Sequence, residues 1–180
     1  FDIGAREIGL TLSRARVQAA RVQQATLAAI SASQAIIEFA PDGTILEANA
    51  NFLSVVGYAL DDIVGKHHRM FVDPAEAQSA AYADFWRRLN AGEFVADKFV
   101  RYGRGGKRVV IEASYNPILD PAGRPYKIVK FAMDVTAVEE ERERRAEADR
   151  QAAQIQAAVV EGTAKGLSAM AEGDLSYRIQ

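Results

Sequence analysis

The sequence predicts an α+β domain: a five-stranded antiparallel sheet with helices over one face, flanked by N- and C-terminal coiled-coil-like helices. Three observations carry this. Pro41-Asp42-Gly43 lies between the apolar runs Ala35-Ile36-Ile37 and Ile45-Leu46, where Pro presets φ, Asp bonds its own backbone and Gly accepts positive φ, so the pair reads as a hairpin. Three further strand-like runs, 94–102, 108–118 and 126–135, are joined by Gly103-Arg104-Gly105-Gly106 and Asp120-Pro121-Ala122-Gly123, both hairpin-like. Helical patterns lie between the two groups of strands and at both ends. Two strands, several helices and then three strands cannot be wound into a parallel sheet of βαβ units.

Each element has its own reason. Residues 5–32 contain no Pro, and Ile8, Leu12, Ala15, Ala19, Val22, Thr26 and Ala29 recur at alternating spacings of four and three. That is a seam for pairing with a second copy or for packing on its own domain. After the hairpin, Asn49 caps a short helix over 49–56 and a second follows over 60–63. Gly65 and Lys66-His67-His68-Arg69 separate these from a longer helix over 75–90, closed by Ala91-Gly92. In the fourth strand Val110, Glu112, Ser114 and Asn116 share one face and Val109, Ile111, Ala113 and Tyr115 the other. From residue 137 helix returns: Glu139 to Arg145 is charged all round, as in a solvated helix held by i,i+4 pairs. Ala148, Ala152, Ile155 and Val159 continue a seam.

Composition narrows the function. The net charge of −2 over 180 residues provides no basic face for nucleic acid. No apolar run is long enough for a membrane span. Cysteine is absent, which removes disulfides, thiolate catalysis and cysteine zinc sites. Enzymatic readings are poorly supported. The 103–106 glycine run lacks the Gly-Lys-Ser/Thr ending of a phosphate loop, and there is neither a Gly-x-Ser-x-Gly elbow nor a recognisable pair of carboxylates. His67 and His68 are adjacent, without further metal ligands at a usual spacing. The sequence therefore predicts no enzyme and no metal site, with an iron-ligating role for His67 or His68 only if haem is bound.

The hairpin, Asn49, Phe52 and Gly57-Tyr58 resemble the opening of a PAS sensor domain. Gly65-Lys66-His67-His68-Arg69-Met70-Phe71, Tyr82-Ala83-Asp84-Phe85-Trp86, Ala113-Ser114-Tyr115-Asn116-Pro117-Ile118 and Lys130 to Thr136 are similar to PAS domains of methyl-accepting chemotaxis (aerotaxis-like) receptors. Leu167 to Ile179 resembles the first helix of a HAMP relay module. The resemblance implies a helix over 1–33, a PAS sensor domain over 34–136, a signalling helix over 137–162 and the start of HAMP over 163–180. It implies a cytoplasmic sensor of redox, oxygen or a small ligand, homodimeric through its flanking helices and passing its signal to downstream HAMP and signalling domains. A cofactor-free dimerisation adaptor and a histidine-kinase sensor module are the alternatives. The missing cysteine sets it apart from light-oxygen-voltage photosensors, which bond flavin through one.

The same resemblance implies FAD as the first cofactor and haem as the second. Asn49, His67, His68, Arg69 and Trp86 occupy places that match the flavin pocket of aerotaxis receptors. Asn116 is expected to face inward with Ser114 and line that pocket. A flavin needs an apolar slot and a few amide-like groups at its ring edge. Trp86 is equally readable as a core aromatic beside Phe85. Two adjacent histidines cannot both enter one pocket, so one ligates or caps the following helix while the other faces water. Asp134 and Thr136 match the Asp-x-Thr element joining the last strand to the signalling helix, and are expected to relay the signal.

Overall fold

The computed structural model describes residues 3–171. The chain divides between Val135 and Thr136 into two compact units. The first holds α1 (Ile3–Ser33), the hairpin β1 (Ala35–Phe39) and β2 (Ile45–Ala48), and the helices α2 (Ala50–Val56) and α3 (Leu60–Ile63). A 3₁₀ turn (His68–Phe71), α4 (Pro74–Ala77), α5 (Ala80–Asn90) and strands β3 (Val95–Tyr102), β4 (Arg108–Leu119) and β5 (Pro125–Asp134) complete it. The second is the long helix α6 (Thr136–Ala171). The sheet order is β2-β1-β5-β4-β3 with every neighbouring pair antiparallel, the expected α+β architecture.

The turns fold for the reasons their residues suggest. In the β1–β2 turn Asp42 accepts the Thr44 N–H at 2.9 Å and Gly43 sits at φ 86°. A Cβ at Gly43 would lie 2.7 Å from His67 Nε2 and 2.9 Å from Trp86 Cζ2. The turn thus fixes where the following helices rest against β1. Asp120 repeats the device between β4 and β5, accepting from the Ala122 and Arg124 N–H groups.

The core lies between one face of the sheet and the helices from α2 to α5. Ile37 and Phe39 of β1, Val109, Ile111, Ala113 and Tyr115 of β4, and Ile128 and Ala132 of β5 form its floor. Phe52, Val56, Ile63, Phe71 and Leu89 cover it, each fully buried side chain contributing about 1.5–3 kcal/mol. Tyr82 and Leu89 of α5 point into this core and Phe85 packs at its edge.

Two expectations are corrected here. The single helix over 75–90 is two: Asp73 caps α4, with Pro74 at its first position, and the Ser79 hydroxyl accepts the Tyr82 N–H at 3.1 Å to start α5 anew. The second concerns β4. Its core face carries Tyr115, so Asn116 and Ser114 project from the opposite face rather than inward. The Asn116 amide donates to the Ser114 carbonyl and hydroxyl and to the Val129 carbonyl, at 3.1–3.3 Å. Glu112, on that outer face, is exposed.

In α6 the charged stretch forms the ion pairs Arg142–Glu139, Arg144–Glu141 and Arg145–Glu141, as expected for a solvated helix, and Arg150–Glu147 and Lys165–Glu161 follow further along. Residues 172–180, the second half of the HAMP-like segment, lie outside the described residues. Among the described residues no helix is long and apolar enough to cross a membrane.

Candidate functional site

A cluster of polar side chains is sealed inside this core. His68, the first residue of the 3₁₀ turn, is fully buried. Its Nδ1 lies 2.9 Å from the Tyr82 hydroxyl on α5 and its Nε2 lies 2.9 Å from the Tyr115 hydroxyl on β4. Burial, then the nearby Lys130, Arg101 and His67 charges, hold the His68 pKa well below 6.5. The imidazole is therefore neutral at pH 7, donating from one nitrogen and accepting at the other. Burial raises the pKa of both tyrosines, so both keep their protons. The result is a Tyr82–His68–Tyr115 bridge from helix to sheet.

Aromatic rings enclose the bridge. Phe39, Phe85 and Trp86 pack about His68 with ring centroids 5.3–6.1 Å away. The buried Trp86 Nε1 makes no hydrogen bond of good geometry, although it leans toward the Tyr82 oxygen. Beside the bridge stand two buried cations, Lys130 on β5 and Arg101 on β3, 1% and 3% exposed. The Lys130 ammonium sits 4.8 Å from the Tyr115 ring centroid and 5.6 Å from that of Phe52. Burial, followed by the like charge of Arg101, holds its pKa well below 10.5. Arg101 donates to the Val100 carbonyl at 2.7 Å and reaches Glu76 at 3.4 Å, but its buried Nε has no acceptor.

The residues singled out from sequence separate into distinct places. His68 and Trp86 enter the core, while His67 stays half-buried and caps the 3₁₀ turn by accepting the Arg69 N–H at 3.0 Å. Arg69 is exposed. Asn49 is committed elsewhere: its side chain accepts from Phe52 and Ile36 N–H groups at 2.9 Å and donates to the Ser31 and Gln34 carbonyls. It ties the end of α1 to β1 and α2 instead of facing the core. Asp134 ends β5 and Thr136 opens α6, with only Val135 between them. Tyr82, Tyr115, Arg101 and Lys130 carry most of the cluster and were not read as site residues. Lys130 alternates with Ile128 and Ala132 on one face, a period-two signal for an inward charge.

A five-stranded antiparallel sheet with helices over one face, burying a few polar groups, is an α+β domain of the PAS type. The family model for the PAS fold matches residues 31–140, and the chain belongs to that family. The biofilm dispersion protein BdlA of Pseudomonas aeruginosa is 49% identical over 113 residues, covering 63% of this chain. The match spans only 27% of BdlA's length. Among solved structures, an RNA-binding light-oxygen-voltage receptor aligns over 77% of this chain and 38% of its own, at TM-score 0.57 and 25% identity. A light-oxygen-voltage domain studied with a flavin analogue aligns over 71% of this chain and 96% of its own, at TM-score 0.54 and 20% identity.

As packed, the interior does not fit flavin or haem. The cavity between the sheet and α2 measures about 10 Å³, against the several hundred that a bound cofactor occupies. Trp86 packs edge-on against Phe39 and Phe85, with ring centroids 6.0 and 5.5 Å away, leaving no slot between these rings. Both His68 nitrogens already meet tyrosine hydroxyls, leaving neither open to iron.

Proposed function

We propose that this chain is the cytoplasmic sensory module of a chemotaxis-type signal transducer, reading a small ligand in the core and relaying the change through β5 into α6 and a HAMP-like segment. The observation that carries this reading is the position of Lys130. It places a buried amine on the strand that passes into α6 after one intervening residue. A ligand that binds two packings of the core unequally shifts the balance between them. Membership of the PAS fold family and the identity with BdlA support a sensory role. Asp134→Ala tests the relay: the receptor should keep its fold and core but lose its response. A receptor carrying this change and signalling normally removes Asp134 from the path.

Flavin is the second reading, favoured by the likeness to light-oxygen-voltage domains and by the unbonded Trp86 indole. It requires the aromatic rings to part. The visible spectrum of the purified protein separates the two: a featureless trace is expected, and a flavin or haem band displaces the small-ligand reading.

A further inference from the structure

We propose that residues 73–79, which carry α4, form a strap that gates the core, latched to the sheet by the Glu76–Arg101 pair and swinging aside to admit a ligand. This names the way into the sensory site and so rests on the reading above. The interior holds a cavity of about 10 Å³, and His68 is fully buried. No ligand reaches the Tyr82–His68–Tyr115 bridge until part of its cover moves.

Of the covering helices, α4 has the least to lose by moving. Unlike α2, α3 and α5 it buries no side chain, and none of residues 73–79 joins the hydrophobic core. The hydrogen bonds of the stretch are local. The Ala77 N–H donates to the Asp73 carbonyl, the Ser79 N–H to the Glu76 carbonyl and the Ala75 N–H to the Asp73 carboxylate, at 2.8–2.9 Å. Buried Phe71 and Val72 anchor one end and buried Tyr82 the other. Between these anchors the strap swings as a unit, breaking none of its own bonds and uncovering no apolar side chain of its own.

The latch is weak and reaches inward. Glu76 Oε1 lies 3.4 Å from Arg101 Nη1, longer than the roughly 2.7–2.9 Å of a strong charge-assisted bond. The Glu76 side chain is 46% exposed, so water screens the pair. Arg101 is buried and also reaches the Tyr115 hydroxyl, which meets His68 Nε2 at 2.9 Å. The one guanidinium thus joins the strap to the bridge. Its buried Nε has no acceptor. Moving the strap outward gives up a long ion pair and lets water reach that N–H, two effects of opposite sign. The closed state therefore leads the open one by a small margin, as a gate requires.

The test reads the solvent exchange of the His68 imidazole N–H by NMR in the 180-residue chain. That proton is sealed in the closed state and meets water only through opening. Glu76→Gln keeps the shape of an exposed side chain without its charge. It is expected to speed the exchange about two- to fivefold, the worth of a partly exposed ion pair. The amides of Ile37 and Ala132, in the paired interior of the sheet, should exchange as before. Added sodium chloride should speed His68 exchange in the wild-type chain, by screening the latch, and leave the variant unmoved. Unchanged exchange in the variant overturns the proposal, as does a wild-type rate indifferent to salt. Equal acceleration of the sheet amides overturns it too, since the variant would then have lost global stability with no local opening. Each of these results leaves the sensory reading standing, because the Asp134→Ala receptor assay does not involve the strap.

Discussion

His68 and Tyr115 approach from opposite sides of the core and meet at 2.9 Å between Nε2 and the phenol oxygen, both fully buried. The contact joins the 3₁₀ turn to β4, the strand between β5 and β3. Burial holds the imidazole neutral, so one nitrogen donates and the other accepts. Phe39, packed against both rings, keeps water out.

Tyr115→Phe removes the hydroxyl and leaves a polar nitrogen of His68 without a partner. The expected loss is ~1–3 kcal/mol of unfolding free energy, the cost of an unsatisfied buried group. Urea denaturation of the two proteins at pH 7.5 measures it. A change within experimental error would mean that the bridge carries no stability.

Asn49→Ala should destabilise through a different route, since one side chain caps α2 and holds the end of α1. The loss of the cap alone is worth about 0.5–2 kcal/mol. Amide exchange should accelerate at Ile36 and Phe52, whose N–H groups Asn49 accepts. If exchange rises only far from these positions, the tie is not what Asn49 provides.

The hairpin was legible because Pro41-Asp42-Gly43 determines its own geometry within a few residues. The sheet order required only the sequence of turns and runs. Ser79 was not legible as a helix boundary, since a serine inside a polar helical pattern and a serine cap look alike until the backbone is seen. The core cluster was missed for another reason. Lys130 and Arg101 lie in strands where a charge normally faces water, and only strict alternation with Ile128 and with Phe99 marks them as inward. Asn116 was assigned inward because a pocket was expected to need an amide. The alternation of β4 instead gave that face to Tyr115.

The flanking helices lead to a prediction about assembly. Val17 and Val22 of α1 and Ile155, Val159 and Leu167 of α6 are more than half exposed, and several fall at seam positions. A chain of residues 33–136 should dimerise less tightly than residues 1–180, by roughly tenfold or more. In the 180-residue chain, Val22→Glu combined with Ile155→Glu should have the same effect. Analytical ultracentrifugation measures both, and equal association throughout would assign dimerisation to the sheet domain.

Stability should depend on pH with a sign set by the core. His68 has an ordinary value of 6.5 that folding depresses, so below 6.5 the unfolded chain binds a proton that the folded chain refuses. Unfolding then takes up protons, and stability falls as the pH drops from about 6.5 toward the folded value. His67 adds to this more weakly, its pKa also lowered by burial. Lys130 acts in the same direction at higher pH: its depressed pKa makes the protein gain stability as the pH rises from the folded value toward 10.5. The tyrosines reverse the trend above 10, where the unfolded chain loses phenol protons that the core retains. The Tm should therefore climb from pH 5 to an alkaline maximum near pH 10. Lys130→Met should flatten the climb above neutrality while preserving the acid limb. A wild-type Tm that is level between pH 7 and pH 10 would mean that Lys130 stays charged in the core throughout that range.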